Sequence, residues 1–253
     1  MERIIKYPRT PHLKGSKMQS GDEDLSLTSF DAVLGKNIVV EEKVDGANVG
    51  VSFDENGQLL LQSRGHYLTG GYRERHYDLF KKWANNAVNE LFERLGTRYI
   101  MYGEWLYAKH KIYYDNLPDY FLEFDIYDKK DGVFLSTLKR RKILNGSCVI
   151  SVPVLKSGTF NNKEDILNLL GKSLYVSENC KQNLIESALN AGVSQEEALI
   201  QTDVSGLAEG LYIKVENEFQ VTSRMKFVRQ NYIQPQNDTK RWIDKPIIPN
   251  KLK

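Results

Sequence analysis

Residues 48–53 and 59–63 are two runs of branched and alternating residues on either side of Asp54-Glu55-Asn56-Gly57. An Asn-Gly pair between such runs favours the tight turn of a β-hairpin, so these strands run antiparallel. With Ile38-Val39-Val40 leading into them, the chain commits early to an antiparallel sheet, where a doubly wound fold would need a crossover helix. Further strands are expected over residues 99–107, 119–127, 210–215 and 219–228, which are rich in aromatic and branched side chains. One helix stands out over residues 77–95. There Leu79, Phe80, Trp83, Ala87, Leu91 and Leu95 recur at three- and four-residue steps and Gly96 follows as a C-cap. Ser136 is placed to cap a short helix through Leu144, and Ser177 one that runs to Gly192 with Leu184, Ile185 and Leu189 inward. Two prolines in Tyr7-Pro8-Arg9-Thr10-Pro11-His12 predict an extended segment pinned against the body, and Pro235, Pro246 and Pro249 break up the tail. The class these features predict is α+β, with antiparallel sheets flanked by helices.

Composition bounds the function. The 253 residues are 41% hydrophobic and 27% charged, enough for a folded core, and no repeat or Gly/Ser linker divides them. One domain over residues 1–231 with a tail over 232–253 is expected. The 35 Lys+Arg and 33 Asp+Glu leave a net charge of +2, so a polyanion would have to meet a local patch. Cys148 and Cys180 are too few for a disulfide framework or a four-sulfur zinc site, which suits a reducing, cytoplasmic setting. Charges and a proline in Met1-Glu2-Arg3-Ile4-Ile5-Lys6-Tyr7-Pro8 do not read as a signal peptide, and no run approaches the ~20 apolar residues of a membrane span, so no membrane partner is expected. Gly171-Lys172-Ser173 ends like a phosphate-binding loop, but Ile166 stands where its first glycine belongs. His12, His66, His76 and His110 lack zinc-site spacing, and no Gly-x-Ser-x-Gly elbow occurs.

The chemically informative segment is Glu41-Glu42-Lys43-Val44-Asp45-Gly46-Ala47-Asn48. Strand period puts Lys43 and Asp45 on one face, and Gly46 allows a tight turn after them. A lysine amine attacks phosphorus or carbonyl only when neutral, and neighbouring cations would lower its pKa. Alone, Lys43-Val44-Asp45-Gly46 reads equally well as a surface hairpin. Further elements follow it in order: Ser63-Arg64-Gly65, Tyr102-Gly103-Glu104-Trp105, Phe121-Leu122-Glu123-Phe124-Asp125, Glu209-Gly210-Leu211-Tyr212-Ile213-Lys214 and Arg224-Met225-Lys226. In order and spacing these six motifs resemble those of the covalent nucleotidyltransferases, namely the ATP-dependent RNA and DNA ligases and the mRNA capping enzymes. Individually each has a plainer reading, Phe124 as core, Glu104 as an edge acid and residues 224–229 as a solvated basic strand; only their joint order points elsewhere.

The resemblance implies a nucleotidyltransferase core, ATP-grasp-like, of antiparallel sheets flanked by helices. It implies that Lys43 attacks the α-phosphorus of ATP, expels pyrophosphate and carries AMP as a phosphoramidate. Arg64, Lys214 and Lys226 would surround the α-phosphate and help keep Lys43 neutral, with Arg224 as a less secure contact because the family usually has lysine there. Glu104 would accept from the ribose hydroxyls, Phe124 would stack on the purine, Asn48 would hold a phosphate or ribose oxygen, and Glu42 would line the nucleotide site. Mg²⁺, with Mn²⁺ as a substitute, would be met by Asp45, Glu104 and Glu209 through its waters. Only 24 residues lie beyond Arg229, so no OB-fold is expected, and this points to the RNA-ligase branch. Tyr7-Pro8-Arg9-Thr10-Pro11-His12-Leu13 and Tyr107-Ala108-Lys109-His110 resemble a compact bacterial group within it. The implied function is RNA repair: sealing of 5′-phosphate and 3′-hydroxyl RNA ends, with an end-healing kinase/phosphatase as a candidate partner. RNA would meet Arg64, His66, Tyr67, Arg73, Arg75 and His76, a stretch that reads equally as a solvated loop. A GTP-dependent guanylyltransferase and a silent RNA-end or nucleotide binder are the alternatives.

Overall fold

The computed structural model describes residues 3–18, 21–232 and 245–253. Among them the strands are β1 (His12–Leu13), β2 (Leu27–Thr28), β3 (Asn37–Lys43), β4 (Ala47–Phe53), β5 (Leu59–Ser63), β6 (Tyr99–Trp105), β7 (Phe121–Asp128), β8 (Val133–Phe134), β9 (Ile150–Ser151), β10 (Val154–Thr159), β11 (Gly210–Glu216) and β12 (Val221–Val228). The α-helices are α1 (Asp78–Asn86), α2 (Val88–Leu95), α3 (Thr137–Leu144), α4 (Lys163–Leu167), α5 (Cys180–Asn190) and α6 (Gln195–Ile200). One sheet has the order β10-β3-β11-β12-β1-β2 and the other β5-β4-β6-β7-β8, with β9 also on β7. The long pairings are antiparallel, the hairpin β4–β5 among them, and only the short β1 and β9 pair in parallel.

Alternation along the strands gives each sheet two unlike faces. In the first, Ile38, Val40, Leu211, Ile213, Met225 and Phe227 turn into an apolar cluster with Phe30, Val33, Phe160 and Ile166. The alternate positions of the same strands are Glu41, Lys43, Tyr212, Lys214, Arg224 and Lys226. In the second sheet Val49, Val51, Phe53, Met101, Trp105 and Phe121 pack on Phe80, Ala84, Leu91 and Leu95 of α1 and α2. That leaves Asn48, Gly50, Tyr102 and Glu104 on its other side, paired across β4 and β6. The polar sides of the two sheets meet.

Charges buried at this junction are paired. Arg140, only 1% exposed, donates to Glu123 Oε1 and Glu41 Oε1, both at 2.6 Å. Lys214 lies 2.8 Å from Glu41 Oε2 and 3.4 Å from Asp125 Oδ1 and also donates to the Phe124 carbonyl. Arg224 reaches Asp125 Oδ2 at 3.5 Å and sits 3.9 Å over the Phe134 ring. Three cations thus face three carboxylates, and the Tyr7 hydroxyl adds a hydrogen bond to Asp125 at 2.5 Å. Burial alone would raise the Asp125 pKa, but Lys214, Arg224 and Arg140 hold it below the usual range.

Several details depart from the sequence reading. The helix expected over residues 77–95 is two, broken at Ala87, and Leu79 is partly exposed while Ala84 is buried. Ser177 does not cap α5: its hydroxyl donates to Asp115 at 2.5 Å, and Asn179 is the N-cap residue. The buried stripe of α5 is Leu184, Ser187 and Ala188, whereas Leu189 is 58% exposed. Five residues on from Leu184 is about 140° around the helix, so Leu189 cannot share its face. As the prolines imply, the N-terminal segment is extended, with His12 paired to Lys226 of β12. Residues 245–253 are tied to the body through Asn250, which donates to the Leu106 carbonyl at 2.6 Å and accepts from Tyr114 N at 2.9 Å. Met1, Glu2 and Pro235 lie outside the described residues. No helix among those described is long and apolar enough to cross a membrane.

Removing Arg140 leaves Glu41 and Glu123 buried with one cation fewer. We expect Arg140→Ala to cost about 3–5 kcal/mol in urea unfolding at pH 7.

Candidate active site

A cleft of about 1100 Å³ opens where the polar sides of the sheets meet. Lys43 ends β3 at its floor, and its Nζ lies 2.6 Å from Glu209 Oε2. Glycine makes this pair possible. A Cβ on Gly210 would stand 2.0 Å from the Phe227 carbonyl, so only glycine lets β11 start this close to β12, in register with Lys43. Gly46, at the bend between β3 and β4, also permits a close approach. Its Cβ would meet the Trp105 carbonyl at 2.7 Å, and the close approach lets Gly46 N donate to Glu104 Oε1 at 3.0 Å.

Asp45 is fixed from the loop after β6. Its Oδ2 accepts from Lys111 N and Ile112 N at 2.7 and 3.0 Å, and its own N–H donates to the Tyr114 hydroxyl at 2.8 Å. His110 Nδ1 is 4.0 Å from Asp45 Oδ1. Phe124 reaches the cleft through a β-bulge. Tyr102 pairs with Asp125 but Gly103 pairs with Glu123, so Phe124 is the extra residue of β7 and its half-buried ring joins the lining. Asn48 lines the cleft from β4, and its Oδ1 is buried without a hydrogen-bond partner.

The charges around Lys43 differ from those the sequence suggested. Burial pushes its pKa down, but Glu209, Glu104 and Asp45 push it further up, and the net direction is up. In the nucleotide-free protein Lys43 is therefore an ammonium held by carboxylates, not an amine kept neutral by cations. Glu104 answers in kind: burial, with Glu209 and Asp45 close by, raises its carboxyl to about 8 despite Lys43. Asp45 is held below the usual range, because His110, Lys43 and the Lys111 N–H outweigh its burial.

The cations expected at the α-phosphate are dispersed. Lys214 and Arg224 belong to the buried network between the sheets, and neither lines the cleft. Lys226 does line it and is ion-paired with Asp22. Arg64 is exposed at the rim. Glu42 borders the cleft, but its carboxylate accepts from Ser173 Oγ at 2.5 Å and Leu174 N at 3.2 Å. In the stretch suggested for RNA, Arg64, His66 and Arg73 are exposed, Arg75 donates to the Lys245 carbonyl, and His76 is buried in the cleft wall. Sequence reasoning missed Tyr7, Thr10 and Asp22 from the N-terminal segment, Glu197 of α6 and Gln201 just after it, and Lys245, Pro246 and Ile248 of the tail as wall residues. Tyr7 and Thr10 lie in a segment read only for its extended course and its resemblance, and no motif marks the others, which are brought to the cleft by the fold. Among the described residues no three His, Cys, Asp or Glu side chains are grouped to hold a metal ion directly.

A family model described as RNA ligase matches residues 36–228. No curated protein matches the chain by sequence. Among solved structures it is similar to a lysine-to-alanine mutant of the Naegleria gruberi RNA ligase with ATP and Mn, at TM-score 0.54 and 18% identity over 91% of this chain and 63% of that one. It is also similar to the Naegleria gruberi RNA ligase with PPi, at 0.52 and 18% over 91% and 62%, and to an archaeal ATP-dependent RNA ligase, at 0.53 and 14% over 89% and 48%. At these identities the likeness is one of fold. The chain spans less than two thirds of the length of each.

The raised Glu104 pKa opposes folding wherever the unfolded chain ionises this group and the folded one does not, that is, progressively from about pH 4.5 to 8. Glu104→Gln is therefore expected to raise the melting temperature at pH 8 by several degrees and to leave it nearly unchanged at pH 4. Thermal melts of both proteins across that range are the check.

Proposed function

The chain belongs to the RNA ligase family, and on that premise we propose that it is an ATP-dependent RNA ligase working through a lysyl-AMP intermediate on Lys43. Lys43 Nζ attacks the α-phosphorus of ATP, the P–N bond forms, and the bond to the pyrophosphate oxygen breaks. AMP then passes to a 5′-phosphate RNA end, and a 3′-hydroxyl displaces it to leave a phosphodiester. The observation that supports this most is the placement of Lys43 at the cleft floor beside Glu209, with Glu104 and Asp45 close enough to set its charge.

Before it can attack, Lys43 must lose a proton, and Glu209 Oε2 at 2.6 Å is placed to accept it. Asp45, Glu104 and Glu209 suit a hydrated Mg²⁺, or Mn²⁺ in its place, which when bound would draw off the negative charge that now favours the ammonium and would neutralise departing pyrophosphate. The unpartnered Asn48 Oδ1 fits such a polar occupant of the cleft. Likeness to structures holding ATP and Mn supports the same choice of nucleotide and ion.

The remaining roles belong to the same reading. Lys226 faces a phosphate and Phe124 gives the purine a ring to stack on. Glu104 is placed for the ribose hydroxyls. Lys214 and Arg224 act from behind the wall, fixing Asp125 and the Phe124 carbonyl rather than touching the nucleotide. Arg64, His66 and Arg73 offer the polynucleotide backbone an exposed basic rim, and RNA repair alongside an end-healing enzyme fits this activity.

Incubation with α-labelled ATP and Mg²⁺ is expected to give an acid-labile protein adduct that Lys43→Ala abolishes. Lys43→Arg, which keeps a cation beside Glu209 but offers no amine that can be neutralised, is expected to fold normally and also remain unlabelled. An undiminished adduct in either variant, or labelling by GTP alone, would overturn the proposal.

A further inference from the structure

The N-terminal segment carries an acid into the cleft that no nucleotide motif includes. Asp22 is buried, lines the cleft, and is ion-paired with Lys226. Its Oδ2 is also 3.2 Å from His12 Nε2, and its Oδ1 is 3.4 Å from Arg9. His12 is itself fully buried and held by Ser16 Oγ at 2.6 Å through its other nitrogen. An ammonium, an imidazole and a guanidinium thus converge on one carboxylate, a donor set equally suited to a phosphate oxygen. Two anions cannot share it cheaply. With Lys226 only 10% exposed, a phosphate drawn to Nζ would meet the Asp22 charge across a poorly screened gap.

We infer that Asp22 is an internal stand-in for phosphate: it occupies Lys226 while the cleft is empty and is displaced when a phosphate of the bound nucleotide takes that lysine. The inference rests on the nucleotide reading of the cleft and adds to it a built-in competitor. Displacing Asp22 would not orphan Arg9, whose closer contacts are Asp24 at 2.6 and 2.7 Å. The pair therefore sets a threshold. An occupant must offer Lys226 more than one carboxylate does, which a polyphosphate can and a stray monoanion cannot.

The test is the ATP dependence of Lys43 labelling in wild type, Asp22→Asn and Asp22→Ser. Each substitution removes the competing charge, so half-maximal labelling is expected at about tenfold less ATP with the plateau of adduct unchanged. A half-saturating concentration that is unchanged or higher would overturn the inference, because an acid that positions Lys226 or assists binding would move it upward. Should wild type take no label at all, the proposed function fails separately. Calorimetry with inorganic pyrophosphate then decides the inference alone, tighter binding by Asp22→Asn supporting it and equal or weaker binding sinking it.

Discussion

Two sheets that meet on their polar sides take charges as well as aromatic rings into the junction, so each buried charge there needs an opposite charge close by. Arg140, Lys214 and Arg224 against Glu41, Glu123 and Asp125 meet that condition. Such pairs add little net stability over an apolar filling, but they are costly to break singly, and they fix one relative placement of the sheets. The cleft inherits its shape from this arrangement. Glu41 is two residues from Lys43 on the same strand, and Asp125 follows the bulged Phe124 directly. Lys43 and the Phe124 ring, on opposite sheets, are each anchored by the same set of charges.

Within the cleft the balance is reversed, since carboxylates outnumber the cations near Lys43. The empty site keeps Lys43 protonated and Glu104 largely neutral at pH 7. On the proposed chemistry, activation would accordingly come with the ligands rather than be built into the resting protein. This differs from a site in which fixed cations hold a lysine neutral, and it ties reactivity to the presence of substrate.

Much of the fold was legible because the signals were local. The Asn56-Gly57 hairpin, the strand runs and the Ser136 cap depend on neighbours a few residues apart, and each lies where expected. Lys43, Asp45, Glu104 and Glu209 could be read as a set because their order along the chain carries a family pattern. The misreadings share a physical cause. Whether Lys214 faces a ligand or a buried Glu41 depends on contacts made across the sheets, which spacing cannot reveal. Asp22 and the tail residues reach the cleft from far along the sequence without any motif. The exposed Leu189 and the break at Ala87 show the finer limit: an apolar side chain near the right period still has to match the angle of its neighbours.

The bulge at Phe124 makes the ring platform in the cleft wall depend on strand register rather than on side-chain identity. Substituting another aromatic would preserve the platform, whereas a one-codon deletion upstream in β7 would let Tyr102 and Gly103 oppose consecutive partners and restore a regular ladder. Every side chain between the deletion and the bulge would then exchange faces, turning core-facing groups toward the cleft. Length variation in this strand is thus a sharper hazard to the protein than point mutation, even though the mended ladder would gain a hydrogen-bonded pair.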